Sequence, residues 1–194
     1  MPYPESVETE RLALRRWTLD DAAAMEAIWR EPDVWRALNP HGPFDPGAWR
    51  KTLARHTEHW ERHGFGLWSV AVPPSDEIVG WAGASHPTFA PEVADRIEIG
   101  WTLRPSHWGR GIATEGATAA IDATFRELDA DEVISLIHNT NARSIAVAGR
   151  LGMEHARDVL HPELGEDLRV YALSGRAWRS SSSRGASDHS TSSR

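Results

Sequence analysis

Cysteine is absent from the chain. That excludes disulfides, thiolate zinc sites and a cysteine nucleophile, and it suits a reducing compartment. No apolar run is long enough to span a bilayer, and the opening MPYPESVETE has no signal-peptide core, so a cytoplasmic protein without membrane contact is expected. Positive charge is scarce: 21 Lys and Arg face 28 Asp and Glu, a net charge of −7. This balance argues against a nucleic-acid partner and leans towards a cationic or amine one. Lysine occurs only at Lys51, and tyrosine only at Tyr3 and Tyr171. There is no Gly-x-Ser-x-Gly elbow and no Gly-Lys-Ser/Thr phosphate loop. What remains is ordinary for a globular domain: 194 residues, 40% hydrophobic and 25% charged,. One domain is expected over 1–179, followed by a Ser-rich, disordered tail over 180–194.

Periodicity organises the domain. RLALRRW alternates as a short strand. Thr18 reads as the N-cap of a helix with Asp20 and Asp21 in its first turn, followed by Ala22, Met25, Ile28 and Trp29. EPDVWRALNPHGPFDP reads as a proline-broken loop with one short helical turn. Asp45 before Pro46 starts a helix that carries Trp49, Leu53, His56 and Trp60 and ends near Gly64. FGLWSVAV and IVGWAGAS flank a PPSDE turn and form a hairpin. RIEIGWTL puts Ile97, Ile99, Trp101 and Leu103 on one face, and Arg96, Glu98, Gly100 and Thr102 on the other. A helix with Ala117, Ile121, Phe125 and Leu128 follows, then the buried strand EVISLIH and a helix closed by Gly152. EHARDVL and DLRVYAL form a last antiparallel pair. The whole predicts a mixed α/β sheet with helices on its faces.

HWGRGIATE joins a strand to a helix through Gly109 and Gly111. The leading N–H groups of a helix lack internal partners and carry partial positive charge, so glycines there let the backbone wrap a phosphate. Arg110 adds charge at the rim. A dinucleotide fingerprint would need a third glycine or alanine where Thr114 stands, and an acid at the end of the next strand, where His138 and Asn139 stand. WGRGIA instead resembles the acyl-CoA cradle of the GCN5-related N-acetyltransferases, Gln/Arg-x-x-Gly-x-Gly/Ala, at Gly111 and Ala113, with Trp108 in place of the first polar residue. A glycine-rich start to a helix with no ligand is the plain alternative.

TERLALRRWTLDDAAAM, EIGWTLRPSHWGRGIATEG, NTNARSIAVAGRLGM and DLRVYAL stand in an order that resembles the GCN5-related N-acetyltransferase (GNAT) superfamily. The resemblance spans Thr9 to Trp178, and within the superfamily it points to the ribosomal-protein-alanine N-acetyltransferases. It implies a mostly antiparallel mixed sheet with two splayed parallel strands, and acetyl-CoA or another acyl-CoA as co-substrate. It implies that the N–H groups of Gly109, Arg110, Gly111, Ile112, Ala113 and Thr114 hold the pyrophosphate, next to Trp108. The pantetheine arm is then expected between the backbone of Trp101, Thr102 and Leu103 and the side of Asn141.

Acetyl transfer to an amine needs a base, since α-amines and lysine-like amines are protonated at neutral pH. Glu98, on the polar face beside Gly100, is the candidate base; an exposed acid on a half-buried strand is the alternative. His86 and His138, both at strand ends, are weaker candidates. Many superfamily members protonate the thiolate with a tyrosine seven residues after the asparagine, where this chain has Ala148. The resembling branch uses a serine three residues after it, here Ser144, read as a hydrogen-bond donor to sulfur. Without a thiol nucleophile, direct attack in a ternary complex is expected. A CoA-binding regulatory protein without turnover is the alternative, kept open by Ala148. His56, His59 and His63 share helical spacing but lack the zincin pattern; solvent-facing histidines and no metal are expected. A homodimer is compatible with the sequence.

Overall fold

The computed structural model describes residues 2–38, 47–162 and 164–180. Strand β1 (Ser6–Glu8) pairs with β2 (Ala13–Arg16), where Leu14 turns inward with 2% exposure. Thr18 then caps a single 3-10 turn, Leu19–Asp21, and Asp21 returns the bond by accepting from the Thr18 N–H at 2.9 Å. This reciprocal box satisfies backbone donors that a helix start leaves orphaned. Helices α1 (Ala22–Trp29), α2 (Pro32–Leu38) and α3 (Ala48–His63) follow. Strands β3 (Leu67–Ala71), β4 (Ile78–Ser85) and β5 (Glu98–Leu103) form an antiparallel meander. Helix α4 (Ile112–Glu127) crosses over to β6 (Glu132–His138), and α5 (Ala142–Arg150) leads to the hairpin β7 (Glu154–His161) and β8 (Glu166–Ser174).

The eight strands form one sheet in the order β1-β2-β3-β4-β5-β6-β8-β7. Every neighbouring pair is antiparallel except β5 and β6, which the α4 crossover makes parallel,. Alternation divides the side chains between two faces. Ala82, Ile99, Leu103, Val133 and Ile137 lie in the main core with Ala117, Ile121 and Ala148 of α4 and α5. Each such aliphatic side chain contributes roughly 1.5–3 kcal/mol when fully buried. Helix α4 sits close to the sheet because Gly116 has no side chain: a Cβ there would lie 3.0 Å from the Ala82 Cβ. The opposite face carries two separate apolar clusters. Trp17, Met25, Ile28, Val34 and Leu53 pack on Ile78 and Trp81 at one end. Ala90, Val93 and Ile134 pack with Val159, Leu168 and Val170 at the other.

One expectation changes. The stretch read as a proline-broken loop holds a seven-residue helix, Pro32–Leu38. Pro32 begins it, in the first helical position where a missing N–H costs nothing. Strand β1, only three residues long, has no period to reveal it. Asp45 and Pro46 lie outside the described residues; α3 is seen from Gly47, which caps it in the left-handed conformation. Of the tail expected over 180–194 only Ser180 is described, at the end of a helical stretch over 175–180; the rest lies outside the described residues.

Candidate active site

Strands β5 and β6 are paired at a single register, Glu98 with Ile134, with the Ile134 N–H bonded to the Ile97 carbonyl at 2.9 Å. Beyond that point side chains replace the ladder. The Ser135 hydroxyl donates to the Ile99 carbonyl at 2.6 Å, and the Leu136 N–H points to the Glu98 carboxylate at 3.4 Å. These two side-chain bonds stand where ladder bonds at Ile99 and Leu136 would be, and the strands diverge from there into a slot. Alternation directs the main-chain groups of Trp101 into that slot, as it does those of Ile97 and Ile99. The side chain of Trp101 packs on the main core, while Thr102 faces the other way, opposite Trp81. Leu103 is buried, and its carbonyl accepts a 2.7 Å hydrogen bond from the Trp108 indole.

Glu98 stands at the apex of the slot. Burial pushes its carboxyl up to about 7, against the opposing pull of the Leu136 N–H and the positive charge of Arg55. A carboxyl poised there exchanges protons readily at neutral pH. There is room beside it, since a Cβ on Gly100 would meet only Leu67, at 3.7 Å.

At the slot's open end lies the start of α4. Gly111 caps this sixteen-residue helix at φ 78°, with no side chain bonded to its N-terminus. The first helical bond runs from the Glu115 N–H to the Gly111 carbonyl, so the N–H groups of Ile112, Ala113 and Thr114 have no intrahelical acceptor,. Gly109 is also left-handed, at φ 71°, and a Cβ on it would touch nothing within 4 Å. Gly109, Arg110 and Gly111 are exposed, whereas Ile112 is buried and anchors the turn. Arg11 ties the turn to β2: it donates to the Arg110 carbonyl at 2.8 Å and pairs with Glu115 at 2.6 Å. Burial alone would raise the Glu115 carboxyl, but hydrogen bonds from Thr9 and Arg11 outweigh it and hold it below the usual range. Across the turn, the Arg143 guanidinium lies 4.5 Å from the centre of the Trp108 ring, and Arg150 donates to the Thr114 hydroxyl at 3.2 Å. Asn141 caps α5, accepting from the Ser144 N–H at 3.1 Å, and both residues are partly buried.

The histidines of α3 depart from expectation. His56 is buried between the rings of Trp17 and Trp81, and burial drives its imidazole down to about 3. His59 is engaged at both nitrogens, by the Phe65 carbonyl at 2.9 Å and the His86 N–H at 3.1 Å. His63 alone is exposed. A helix that packs on the sheet must bury the residues at one helical spacing, and here that stripe includes His56. Among the described residues, no group of three His, Cys, Asp or Glu side chains is arranged to hold a metal ion. His86 itself bonds the Arg96 carbonyl through Nδ1 at 2.9 Å, and His138 is buried at the end of β6.

Sequence reasoning did not find Ser135, Arg55, Arg11 or Arg143. The hydroxyl in EVISLIH, one polar inward residue in an apolar strand, was the only local signal. The others enter through contacts between distant segments.

A family model described as Acetyltransferase (GNAT) domain matches residues 11–154. The uncharacterized N-acetyltransferase p20 of Bacillus licheniformis is 28% identical over 151 residues, which cover 77% of this chain and 83% of that protein. A crystal structure of an acetyltransferase from Agrobacterium tumefaciens is similar at a TM-score of 0.74 and 28% identity, covering 87% of this chain and 93% of that one. The ribosomal-protein-S5-alanine acetyltransferase of Vibrio fischeri shares the fold at a TM-score of 0.69 and 18% identity, covering 89% of this chain and 98% of that one.

Proposed function

The chain belongs to the GNAT acetyltransferase family and is an acetyl-CoA-dependent N-acetyltransferase, and from that premise we propose how its own residues carry the transfer. The uncapped start of α4 binds the pyrophosphate of acyl-CoA through the N–H groups of Gly109 to Thr114, with Arg110 at the rim and Trp108 behind it. An anion there satisfies orphan donors and the helix dipole together. The pantetheine arm fills the slot between β5 and β6, along the backbone of Trp101, Thr102 and Leu103 and past Asn141. The thioester supplies an activated acyl group, and the acceptor is a primary amine, either a small amine or a protein N-terminus.

Glu98 takes the proton from the attacking amine, directly or through water. The nitrogen lone pair adds to the thioester carbonyl, forming the C–N bond and a tetrahedral oxyanion that a main-chain N–H of β5 stabilises. Its collapse re-forms the carbonyl and breaks the C–S bond, and the thiolate leaves with a hydrogen bond from Ser144. The observation that carries this reading is Glu98 at the apex of the splayed strands, with its carboxyl raised to about 7. The test is a thermal shift with acetyl-CoA, NADH and ATP, followed by CoA release with an amine panel. Ligand at a hundred times its dissociation constant adds about 2.7 kcal/mol, several degrees for a domain of this size. Stabilisation by acetyl-CoA alone, with amine-dependent CoA release, is expected. A shift with NADH alone, or with none of the three, overturns the reading.

A further inference from the structure

The chain carries a net charge of −7, yet four arginines gather at the start of α4. Arg110 belongs to the turn itself. Arg11 reaches it from beside β2, and Arg143 and Arg150 reach it from α5. Glu115, the carboxylate in the first turn of α4, is engaged by Arg11 and Thr9. Elsewhere in the fold Arg15, Arg30, Arg96 and Arg104 pair with carboxylates. Among the described residues Arg143 and Arg150 pair with none: one lies on the Trp108 ring and the other on the Thr114 hydroxyl. Arg110 stands just before α4, and Arg143 in the first turn of α5, where the helix dipole disfavours a cation,. Like charges so placed repel one another, and a bound anion reverses that balance.

Both α5 guanidinium groups are held in place. The Trp108 indole is fixed by its 2.7 Å hydrogen bond to the Leu103 carbonyl, and Arg143 lies 4.5 Å from the centre of its ring. Stacking on an aromatic face leaves the in-plane N–H donors unused. Arg150 donates only its Nε–H, to the Thr114 hydroxyl at 3.2 Å, and keeps the N–H groups of its two terminal nitrogens,. The two residues are seven positions apart on α5, two turns or roughly 10 Å along the axis at about 1.5 Å per residue, and so lie on one stripe,. That stripe meets both ends of the glycine turn, at Trp108 and at Thr114. The space over the turn is open. Gly109, Arg110, Gly111, Arg143 and Arg150 are exposed, and a Cβ on Gly109 would meet nothing within 4 Å.

The N–H groups of the turn match one diphosphate. Guanidinium groups fixed beside it, without carboxylate partners, suit a second phosphate one ribose away. Resting on the placement of the pyrophosphate at the start of α4, we propose that Arg143 and Arg150 bind the 3′-phosphate of CoA and make the chain selective for CoA over dephospho-CoA. Arg11 takes no part in this, since it is committed to Glu115 and the Arg110 carbonyl.

The experiment is titration calorimetry with CoA and with dephospho-CoA, which lacks only the 3′-phosphate. The native protein should bind CoA about tenfold tighter or more, the size of one charge-assisted hydrogen bond. Arg143→Gln and Arg150→Gln should each lower that ratio severalfold, and the double variant should bring it near one. Arg143→Lys, which keeps the charge and loses the planar fork, should keep part of the ratio. Added salt should weaken CoA more than dephospho-CoA. Both side chains are exposed, so the unliganded variants should melt with the native protein,. Equal affinity for the two nucleotides in the native protein overturns the proposal and leaves the transfer reading in place. A ratio that survives the double variant also overturns it. So does an equal loss for both nucleotides, which would assign the arginines to the pyrophosphate or to the fold. No binding of either nucleotide overturns the cradle itself, and this proposal falls with it.

Discussion

Glu98 is held where its charge is least favourable, and that sets both its chemistry and its cost. An unfolded glutamate titrates near 4.3, whereas the folded carboxyl is raised to about 7 by burial. Between those values the folded state binds more protons than the unfolded one, so this residue's contribution to stability grows as pH falls. Glu98→Gln removes the carboxylate charge and the proposed base together. The variant should melt at a higher temperature than the native protein at pH 8, with the gap closing at pH 5. Its kcat should fall about a hundredfold or more, and the native kcat/KM should rise with pH along a limb near 7. A variant that melts lower at pH 8, or keeps its rate, refutes the assignment. Gly111 is the second residue on which the reading rests. It sits at φ 78° with the Arg11 guanidinium 3.2 Å from where a Cβ would be. Gly111→Glu puts a carboxylate at the anion site and strains the backbone by roughly 1–2 kcal/mol. Calorimetry should find no acetyl-CoA binding in a protein that still folds; native affinity would show that the start of α4 is not the cradle.

Elements with a long period were legible, and those without one were not. The alternation in RIEIGWTL placed Ile99 and Glu98 on opposite faces, as β5 has them, and the spacing of Ala117 and Ile121 marked the buried side of α4. Strand β1 is too short to show a period, and α2 was read as a single turn within a loop because proline reads as a breaker when it is also a good first residue,. Helix α3 was found, but its buried stripe was not assigned, because histidine serves equally as a surface residue and a core one. That stripe has a consequence in acid. The unfolded chain protonates His56 near 6.5, while the folded imidazole resists until about 3,. Stability is therefore complete above 6.5 and declines as pH falls below it. His59, driven down to about 4 chiefly by burial, acts in the same direction. His56→Phe removes a buried Nδ1 that has no hydrogen-bond partner, so at pH 7.5 it should cost little or even stabilise. Denaturant midpoints between pH 6.5 and 4.5 should fall less steeply for the variant than for the native protein. Parallel curves would show that His56 takes up its proton in the folded state as well.

At the scale of the molecule, the sheet separates two approaches to one slot. The start of α4, where we place the phosphate, and the cap of α5 lie at the ends of helices on one face, whereas Glu98, Gly100 and Thr102 face the other. This division could be anticipated only in part. The glycines of HWGRGIATE and the polar face of β5 are local features of the chain, but the side-chain bonds at the head of the slot join residues 36 and 38 positions apart. In the proposed reaction, two substrates arriving from opposite faces meet across the thioester without an intermediate carrier. The chain also has no cysteine to act as one. Initial rates at varied acetyl-CoA and fixed amine should therefore give double-reciprocal lines that intersect. A covalent acyl-enzyme, on Ser144 or another hydroxyl, would release CoA before the amine binds and give parallel lines. The same distinction appears without amine. A ternary mechanism leaves acetyl-CoA intact in a single-turnover mixture, whereas an acyl-enzyme gives a burst of CoA equal to the enzyme present. Intersecting lines with no burst require both faces to be occupied at once, and parallel lines with a burst would move the chemistry from Glu98 to a nucleophile on the protein.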